Sequence, residues 1–439
     1  MAYVVGLLVL LVGLLASIAL HEIGHMVPAK RFGVRVSRYM VGFGPTLWSR
    51  TRGETEYGLK AFPLGGYVKL VGMFPPADVV GATPRPGRVA ELVQAAREQS
   101  AEEILPGQDH RAFYRLSTPK KVVVMLGGPV MNLVIAAVLF AVILVGFGVP
   151  GASTTTVGVV GGCVLPWDAK ADRTCTAADP QTPAAAAGLK PGDTLISFGG
   201  TSVSTWQDFT KAVQSSTGTV PLVVERAGRR VTLQVAPVTI ERPVVDDKGS
   251  PVLGADGRPT THLVRYVGLS PTQQREHQPL SSVPGILGQN LWATAGIVAT
   301  LPSRLVDVAQ ATFGNGQRDA SSVVGVVGVG RFAGEIASAN LPGYDLSERV
   351  SDMLGLVASL NIALFVFNLI PLLPLDGGHV AGALWEGARR QVARLRGLPR
   401  PAPADVARMM PLAYGVFLVL AVMGAFLVYA DIVKPVTLG

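Results

Sequence analysis

The chain has 439 residues, of which 49% are hydrophobic and 15% charged, and its mean hydropathy is +0.40. With several long apolar runs, these values indicate an integral membrane protein that also has folded parts outside the bilayer. The net charge of +8 does not indicate nucleic-acid binding, because basic residues cluster after the first apolar run and before the last, as in positive-inside cytoplasmic loops.

The chain opens with an apolar run, residues 3–20, which leads into His21-Glu22-Ile23-Gly24-His25. Residues four apart share a helix face, so His21 and His25 are placed to bind one metal ion, with Glu22 beside the water of that metal. Ionisable groups are expensive in hydrocarbon, so this cluster indicates function. A signal peptide is the alternative, but the basic n-region is missing. We therefore expect a first transmembrane helix within residues 1–29.

A hairpin and a loop are expected next, on the cytoplasmic side. Residues 54–71 favour strands, and Pro-Leu-Gly-Gly at 63–66 predicts the turn. We place this hairpin in a region spanning residues 30–73. Residues 74–120 are rich in Pro, Gly and charge, which predicts a cytoplasmic loop with one short helix near 89–99.

The second apolar run predicts a transmembrane helix within residues 121–150, and it contains Asn132 after Gly127-Gly128-Pro129. Such an Asn either packs helices together or belongs to a site, and packing is slightly favoured. Residues 155–240 predict a compact mixed domain outside the membrane. It holds the only two cysteines, Cys163 and Cys175, for which a disulfide is favoured over a metal site and two free thiols remain the alternative.

Residues 241–352 are expected to be an extracytoplasmic or interfacial linker. Its apolar stretch, 284–301, is interpreted as an amphipathic interfacial helix rather than a span, because an odd number of crossings must separate the cysteines from the basic cluster near residue 390. A third transmembrane helix is expected within 353–380 and a fourth within 410–432, separated by a basic cytoplasmic loop at 381–409.

The third metal ligand is expected to be Asp376, at a Pro-interrupted break after the third span. Two His, one carboxylate and an open position describe a catalytic zinc site, in which zinc lowers the pKa of its water to about 7 and Glu22 takes the proton. Asp-Gly-Gly is also a common turn. His379 is a rival ligand, although two nitrogen ligands are already present.

Here the chain resembles the site-2 proteases, which are intramembrane zinc metalloproteases. The resemblance rests on the His21–His25 motif, on Leu375-Asp376-Gly377, on Pro-Leu-Gly-Gly-Tyr-Val-Lys at 63–69 and on a segment at 182–196 that is similar to bacterial PDZ domains. These motifs occur in the same order as in the family and extend over nearly the whole chain. The implied fold is a polytopic α-helical membrane protein with four transmembrane helices, a membrane-associated β-hairpin and an inserted extracytoplasmic PDZ-like α+β domain.

The resemblance also implies functional roles. Zn²⁺ would be bound by His21, His25 and Asp376, with Glu22 as base. The hairpin, including Gly65, Gly66 and Tyr67, would pair with an unwound substrate strand, and Asn368 and Pro371 would contact the substrate or steady the oxyanion. It leaves the insertion at 79–108 unassigned.

The implied enzyme is a zinc-dependent intramembrane metalloendopeptidase of regulated intramembrane proteolysis. It would lie in the bacterial plasma membrane, in contact with lipid, with both termini extracytoplasmic and the active site toward the cytoplasm. Its substrates would be single-span membrane proteins already trimmed outside, such as anti-sigma factors, or signal-peptide remnants, and the PDZ-like domain would contact substrate or an adaptor. A membrane zinc carrier and an inactive PDZ-bearing scaffold are the alternatives.

Overall fold

The structure, a computed structural model, describes residues 1–82, 87–168, 173, 175–245, 252, 254, 259–314, 318, 322–339 and 344–436. Parts of the expected 79–108 insertion, of the 155–240 domain and of the 241–352 linker lie outside the described residues. The chain forms two compact units. The first comprises Met1–Gly146, Pro279–Ser338 and Arg349–Leu438, and the second comprises Phe147–Gln278 and Ala339–Glu348.

The described residues form helices and strands in the following order. The helices are α1 (Ala2–Arg31), α2 (Ala77–Val80), α3 (Arg88–Glu102), α4 (Thr118–Ala141), α5 (Pro183–Ala186), α6 (Trp206–Ser215), α7 (Val283–Ala299), α8 (Leu301–Phe313), α9 (Val326–Ser338), α10 (Leu346–Asn368), α11 (Asp376–Leu395) and α12 (Met410–Val433). The strands are β1 (Val36–Arg52), β2 (Thr55–Leu70), β3 (Val149–Val160), β4 (Thr194–Phe198), β5 (Thr201–Ser202), β6 (Val220–Arg226), β7 (Arg229–Val235), β8 (Val238–Pro243), β9 (Thr261–Tyr266) and β10 (Leu269–Glu276).

Among the described residues, four helices are long and apolar enough to cross a membrane: Ala2–Arg31, Thr118–Phe147, Leu346–Asn368 and Val406–Val433. These correspond to α1, α4 with its π-helical continuation, α10, and α12 with the turn before it. The coarse expectation of four helices long and apolar enough to span a membrane, combined with β-structure, is confirmed. The helix α7 has only 17 residues and is not one of the four.

The helices α1 and α4 cross at glycines. A Cβ atom added to Gly24 would lie 2.3 Å from the carbonyl oxygen of Gly127, and one added to Gly127 would lie 2.0 Å from the carbonyl oxygen of Gly24. Small residues allow membrane helices to approach this closely. The crossing therefore brings the backbone of α4 against the part of α1 that carries the two histidines.

The hairpin of β1 and β2 is longer than expected, and its chain reversal lies at Gly53 and Glu54. β2 runs alongside β1 in the same direction from Glu56 to Leu59 and in the opposite direction from Gly66 to Lys69, so the chain also reverses between residues 59 and 66, where the turn at 63–66 was expected. The expectation that residues 54–71 form one hairpin was wrong, because β1 lies between the two arms. Tyr39 is paired with both Val68 and Tyr57. The two arms of β2 therefore flank β1, and the arm at 66–70, which is paired with β1 alone, forms an edge.

The second unit is an α+β domain whose main sheet has the strand order β10-β3-β4-β6-β7, with β5 paired to β4. Its core packs Leu195, Phe198 and Leu222 against Phe209 of α6. Because β10 pairs with β3, the folded unit extends to residue 276. The expected domain end at residue 240 and the expectation of a linker from residue 241 were therefore wrong.

The helix α7 occupies the expected interfacial segment, and α8 and α9 follow it. The side chains of Trp292 and Ile297 lie about 140° apart around α7, yet both are exposed, so α7 does not have a single apolar face as an amphipathic helix would. After α8, the short helix α9 packs Ala333 and Ile336 against Leu10 of α1 and Met353 of α10. The helix α9 was not predicted, since its 13 residues are too few for a span.

The basic loop expected at 381–409 contains a helix that was not predicted, because α11 occupies residues 376–395, and its cytoplasmic placement stays a prediction. The buried carboxylate of Glu386 on α11 accepts hydrogen bonds of 3.0 and 2.8 Å from the Lys121 ammonium on α4 and one of 2.8 Å from the backbone N–H of Ala404. A buried ion pair of this kind strongly penalises loss of one partner. It ties α11 to α4.

Cys163 and Cys175 form a disulfide in the second unit. If the unit folds in an oxidising compartment, the protein isolated from membranes will carry this bond. Alkylation without reductant, followed by mass spectrometry, should recover a cross-linked peptide pair. Recovery of both cysteines in alkylated form would contradict the pairing.

Candidate metal centre

Three side chains converge on one point in the first unit. Nε2 of His21 lies 3.2 Å from Nε2 of His25, and Oδ2 of Asp376 lies 3.4 Å from the first nitrogen and 3.3 Å from the second. Among the described residues, these three form a group of potential metal ligands. Donors held about 2.0–2.1 Å from one ion at tetrahedral angles are roughly 3.3 to 3.4 Å apart, so the donors fit zinc.

The local sequence explains how each ligand reaches this point. His21 and His25 are separated by four residues on α1 and therefore share a face. Asp376 is the first residue of α11, where the helix dipole favours a negative charge. A Cβ on Gly377 would lie 2.3 Å from the Ile370 carbonyl oxygen, so this glycine lets the preceding loop fold tightly over the helix start. Oδ2 of Asp376 is buried without a hydrogen-bond partner, as expected for an atom that ligates a metal.

The backbone of α4 fixes His25. The carbonyl oxygen of Val124 lies 2.8 Å from Nδ1 of His25, so this nitrogen donates its proton there. The lone pair of Nε2 is consequently directed at the common point. Metal-binding histidines generally have such a partner, which sets the tautomer and the ring orientation.

Asn132 lies at the same centre. Its side-chain amide, fully buried, is 3.1 Å from Nδ1 of His21. From the sequence, helix packing was slightly favoured for this residue, whereas the structure places it beside His21. The spacing in the sequence did not decide between the two interpretations, since Asn132 follows Gly128 by one helical turn and packing motifs show the same spacing.

Gly128 provides the space for both imidazoles. A Cβ added there would lie 2.2 Å from Nε2 of His25 and 2.7 Å from Nε2 of His21. Any larger residue would occupy the position of the ligand atoms. This position in the site was not predicted for Gly128.

The side chain of Glu22, on α1, lies against the hairpin. A Cβ on Gly66 would be 3.3 Å from Cγ of Glu22, and the backbone N–H of Val68 is in hydrogen-bond reach of the Glu22 carboxylate. The edge arm of β2 therefore borders the general-base candidate. On the same hairpin, the Tyr39 hydroxyl donates a 2.8 Å hydrogen bond to the Ala19 carbonyl oxygen of α1.

The other expected site residues lie at different positions around the centre. Gly65 has a φ of +103° at the bend of β2, and Tyr67 stacks on Phe43 at 6.2 Å between ring centroids. Asn368 is the last residue of α10, and Pro371 is exposed in the loop before Asp376. Their contacts with substrate remain predictions.

His379 does not join the three converging ligands. Its ring lies 6.4 Å from that of Phe74, measured between centroids. The structure thus favours Asp376 over His379 as the third ligand candidate.

Comparison with known proteins gives consistent similarities. A family model described as Peptidase family M50 matches residues 9–398. Over the full length of both chains, the sequence is 34% identical to "Zinc metalloprotease Rip1" of Mycobacterium tuberculosis and 32% identical to "Zinc metalloprotease Rip1" of Mycolicibacterium smegmatis. It is 27% identical to "Metalloprotease MmpA" of Caulobacter vibrioides over 89% of each chain.

Replacing Gly128 by Ala tests the space around the ligands. The new methyl group would collide with both Nε2 atoms, so we expect at least a tenfold loss of zinc affinity, comparable to the loss of an outer ligand partner. Chelator competition on the purified protein measures this. Gly146→Ala is the control, because a Cβ there meets nothing within 4 Å. Equal zinc affinity in the two variants would contradict the packing argument.

Asp376→Ala and His379→Ala, measured together, test the third ligand. We expect Asp376→Ala to lose most of the zinc and the activity, because changes outside the ligand shell already cost about 10- to 100-fold. His379→Ala should cost less, since that ring packs beside Phe74. Zinc content decides the result: an empty site in His379→Ala and a filled one in Asp376→Ala would reverse the assignment.

Proposed function

Since the chain belongs to peptidase family M50 and is a zinc metalloprotease, we propose that it cleaves single-span membrane proteins within the membrane, in regulated intramembrane proteolysis. The observation that carries this proposal is the location of the ligands. His21 and His25 lie on a helix long and apolar enough to cross a membrane, and Asp376 meets them from α11. A peptidase with its ligands inside such a helix suits substrates that lie in the bilayer.

The proposed ligands are His21, His25 and Asp376, and the proposed general base is Glu22. Zinc bound by these ligands supplies Lewis acidity and makes a water molecule acidic enough to be deprotonated near neutral pH. The Glu22 carboxylate accepts the proton of the attacking water and later delivers it to the leaving amine. In this proposal, Asn368 and Pro371 contact the substrate or steady the developing oxyanion.

We propose that substrate binds along the edge arm of β2. A peptide bond inside a helix is hydrogen-bonded to its own backbone, so it must unwind before water can attack it. The freed N–H and C=O groups then need partners within the membrane. The arm at 66–70 is paired on one side by β1 and borders Glu22 through Gly66. Addition of the substrate as a further strand would satisfy these groups and present the scissile bond to the base.

The second unit supplies a candidate surface for the PDZ-like role. A groove lies between α6, which contributes Trp206, Phe209 and Val213, and the segment from Arg265 to Leu269. The edge strand β10 begins at Leu269, and edge strands accept extended peptides. We propose that this groove contacts substrate or an adaptor.

We further propose a multi-pass placement in the bacterial plasma membrane, in contact with lipid. Both termini and the second unit would be extracytoplasmic, and the metal centre would lie toward the cytoplasmic side. The disulfide between Cys163 and Cys175 and the basic residues of α11, including Arg389, Arg390 and Arg394, support this orientation. Single-span proteins trimmed outside, such as anti-sigma-factor-like proteins or signal-peptide remnants, are the proposed substrates.

Glu22→Gln separates chemistry from metal binding. The amide keeps the shape of the side chain but cannot accept the proton of the water, so we expect cleavage to fall by far more than tenfold while zinc content stays at the wild-type value. Membrane fragments should accumulate in cells that carry Glu22→Gln and should disappear with wild type. The measurements are metal analysis of the purified variant and proteomics of membrane fragments.

Two outcomes would contradict parts of this proposal. Cleavage within tenfold of wild type would remove Glu22 from the role of base. Accumulated fragments that contain no membrane-spanning segment would overturn the substrate class while leaving the base assignment intact. Asp376→Ala is the comparison variant, because it should lose zinc as well as activity.

A further inference from the structure

One face of α4 serves the two imidazoles. Val124, Gly128 and Asn132 are spaced four residues apart, so they lie along one side of the helix. The Val124 carbonyl oxygen accepts the hydrogen bond of His25. Gly128 leaves space for both Nε2 atoms, and the Asn132 amide lies beside His21. Each imidazole therefore has its Nδ1 atom directed at α4 and its Nε2 atom at the common point.

The proton positions of His21 follow from this arrangement. Nε2 of His21 faces Nε2 of His25 at 3.2 Å and Oδ2 of Asp376 at 3.4 Å, so as a zinc ligand it must offer a lone pair. The proton of the neutral ring is then on Nδ1, which needs an acceptor. The amide nitrogen Nδ2 of Asn132 lies 3.1 Å from this atom.

The amide of Asn132 can supply that acceptor. Its Oδ1 atom is buried without a hydrogen-bond partner, and an unpaired buried acceptor is costly. The two ends of an amide exchange by rotation about the Cβ–Cγ bond, and the hydrogen-bond network decides between them. With Oδ1 toward His21, the orphaned acceptor and the N–H of Nδ1 satisfy each other, whereas the opposite orientation sets two N–H donors face to face.

We propose that Asn132 is a positioning residue of the metal centre. Its amide oxygen accepts the hydrogen bond from Nδ1–H of His21 and thereby holds Nε2 toward the zinc, as the Val124 carbonyl does for His25. The inference rests on the proposed ligand set. The ligand set has a separate test: if His21→Ala retained zinc with wild-type affinity, His21 would not be a ligand.

The chain contains a matched control for this role. Asn361 on α10 is also fully buried, and its amide donates hydrogen bonds of 2.9 Å to Ser17 Oγ and to the Val357 carbonyl oxygen. Ser17 also donates a 2.9 Å bond to the Gly13 carbonyl oxygen. Asn361 thus joins helices without contacting a proposed ligand. If Asn132 only packed helices, removal of either amide would have the same effect on zinc.

The experiment measures zinc affinity by chelator competition on the purified full-length protein, for Asn132→Leu, Asn132→Asp and Asn361→Leu. We expect Asn132→Leu to weaken zinc binding about 10- to 100-fold, the usual cost of losing a ligand's hydrogen-bond partner. Asn132→Asp keeps an acceptor and should bind zinc at least as tightly as wild type. Asn361→Leu should stay within about threefold of wild type. In the cobalt-substituted protein, only Asn132→Leu should change the visible absorption of the ion, because only that variant frees the His21 ring.

Three results would overturn the proposal: wild-type zinc affinity in Asn132→Leu, an equal loss in Asn361→Leu, or a loss in Asn132→Asp as large as a leucine would cause. The aspartate variant carries the test alone if Asn132→Leu does not fold. Its rescue depends on the acceptor and not on helix packing, which a charged side chain would disturb.

Discussion

The metal centre depends on how closely α1 and α4 approach one another. At Gly24 and Gly127 the two backbones touch, with no room for a Cβ on either helix. This contact is what allows a carbonyl oxygen of α4 to reach Nδ1 of His25 and lets Gly128 lie directly against both imidazoles. In a bilayer, where lipid solvates apolar side chains well, such packing and polar contacts are what hold helices together.

The third ligand arrives from far along the chain and needs its own anchor. Asp376 begins α11, and that helix is tied to α4 by the buried pair of Lys121 and Glu386. The same helix, α4, therefore supports all three proposed ligands. Its central face contacts His21 and His25, and Lys121 in its first turn holds the helix that carries Asp376. The hairpin approaches from the other side, where Gly66 meets Glu22. The arrangement places ligands, proposed base and sheet edge around one point.

Much of this centre could be predicted from sequence because its chemistry is local. The spacing of His21 and His25 fixes their shared helix face, and a carboxylate at a proline-rich break was the natural third donor. The role proposed for Asn132 was not predictable, since an Asn one turn after a Gly fits helix packing equally well. Only the position of the His21 ring distinguishes helix packing from a position in the metal centre.

Other elements were misjudged for comparable physical reasons. Pro-Leu-Gly-Gly does lie where the chain reverses (Gly65 takes the positive φ), but the two arms that it joins pair with β1 between them instead of with each other, and no local pattern reveals that. The strand β10 is polar and joins β3 from more than a hundred residues away, so no local pattern reveals it. The helix α11 begins with Asp-Gly-Gly and is rich in arginine, a composition that resembles a cytoplasmic loop.

The central claim is that zinc is held by two imidazoles and one carboxylate from these three helical positions. X-ray absorption spectroscopy at the zinc edge of the purified full-length protein tests it most directly. The account predicts nitrogen and oxygen donors at about 2.0–2.2 Å, outer-shell scattering from two imidazole rings, and no sulfur. A spectrum with three imidazole rings, which would bring in a histidine such as His379, or one with sulfur ligands, would contradict it.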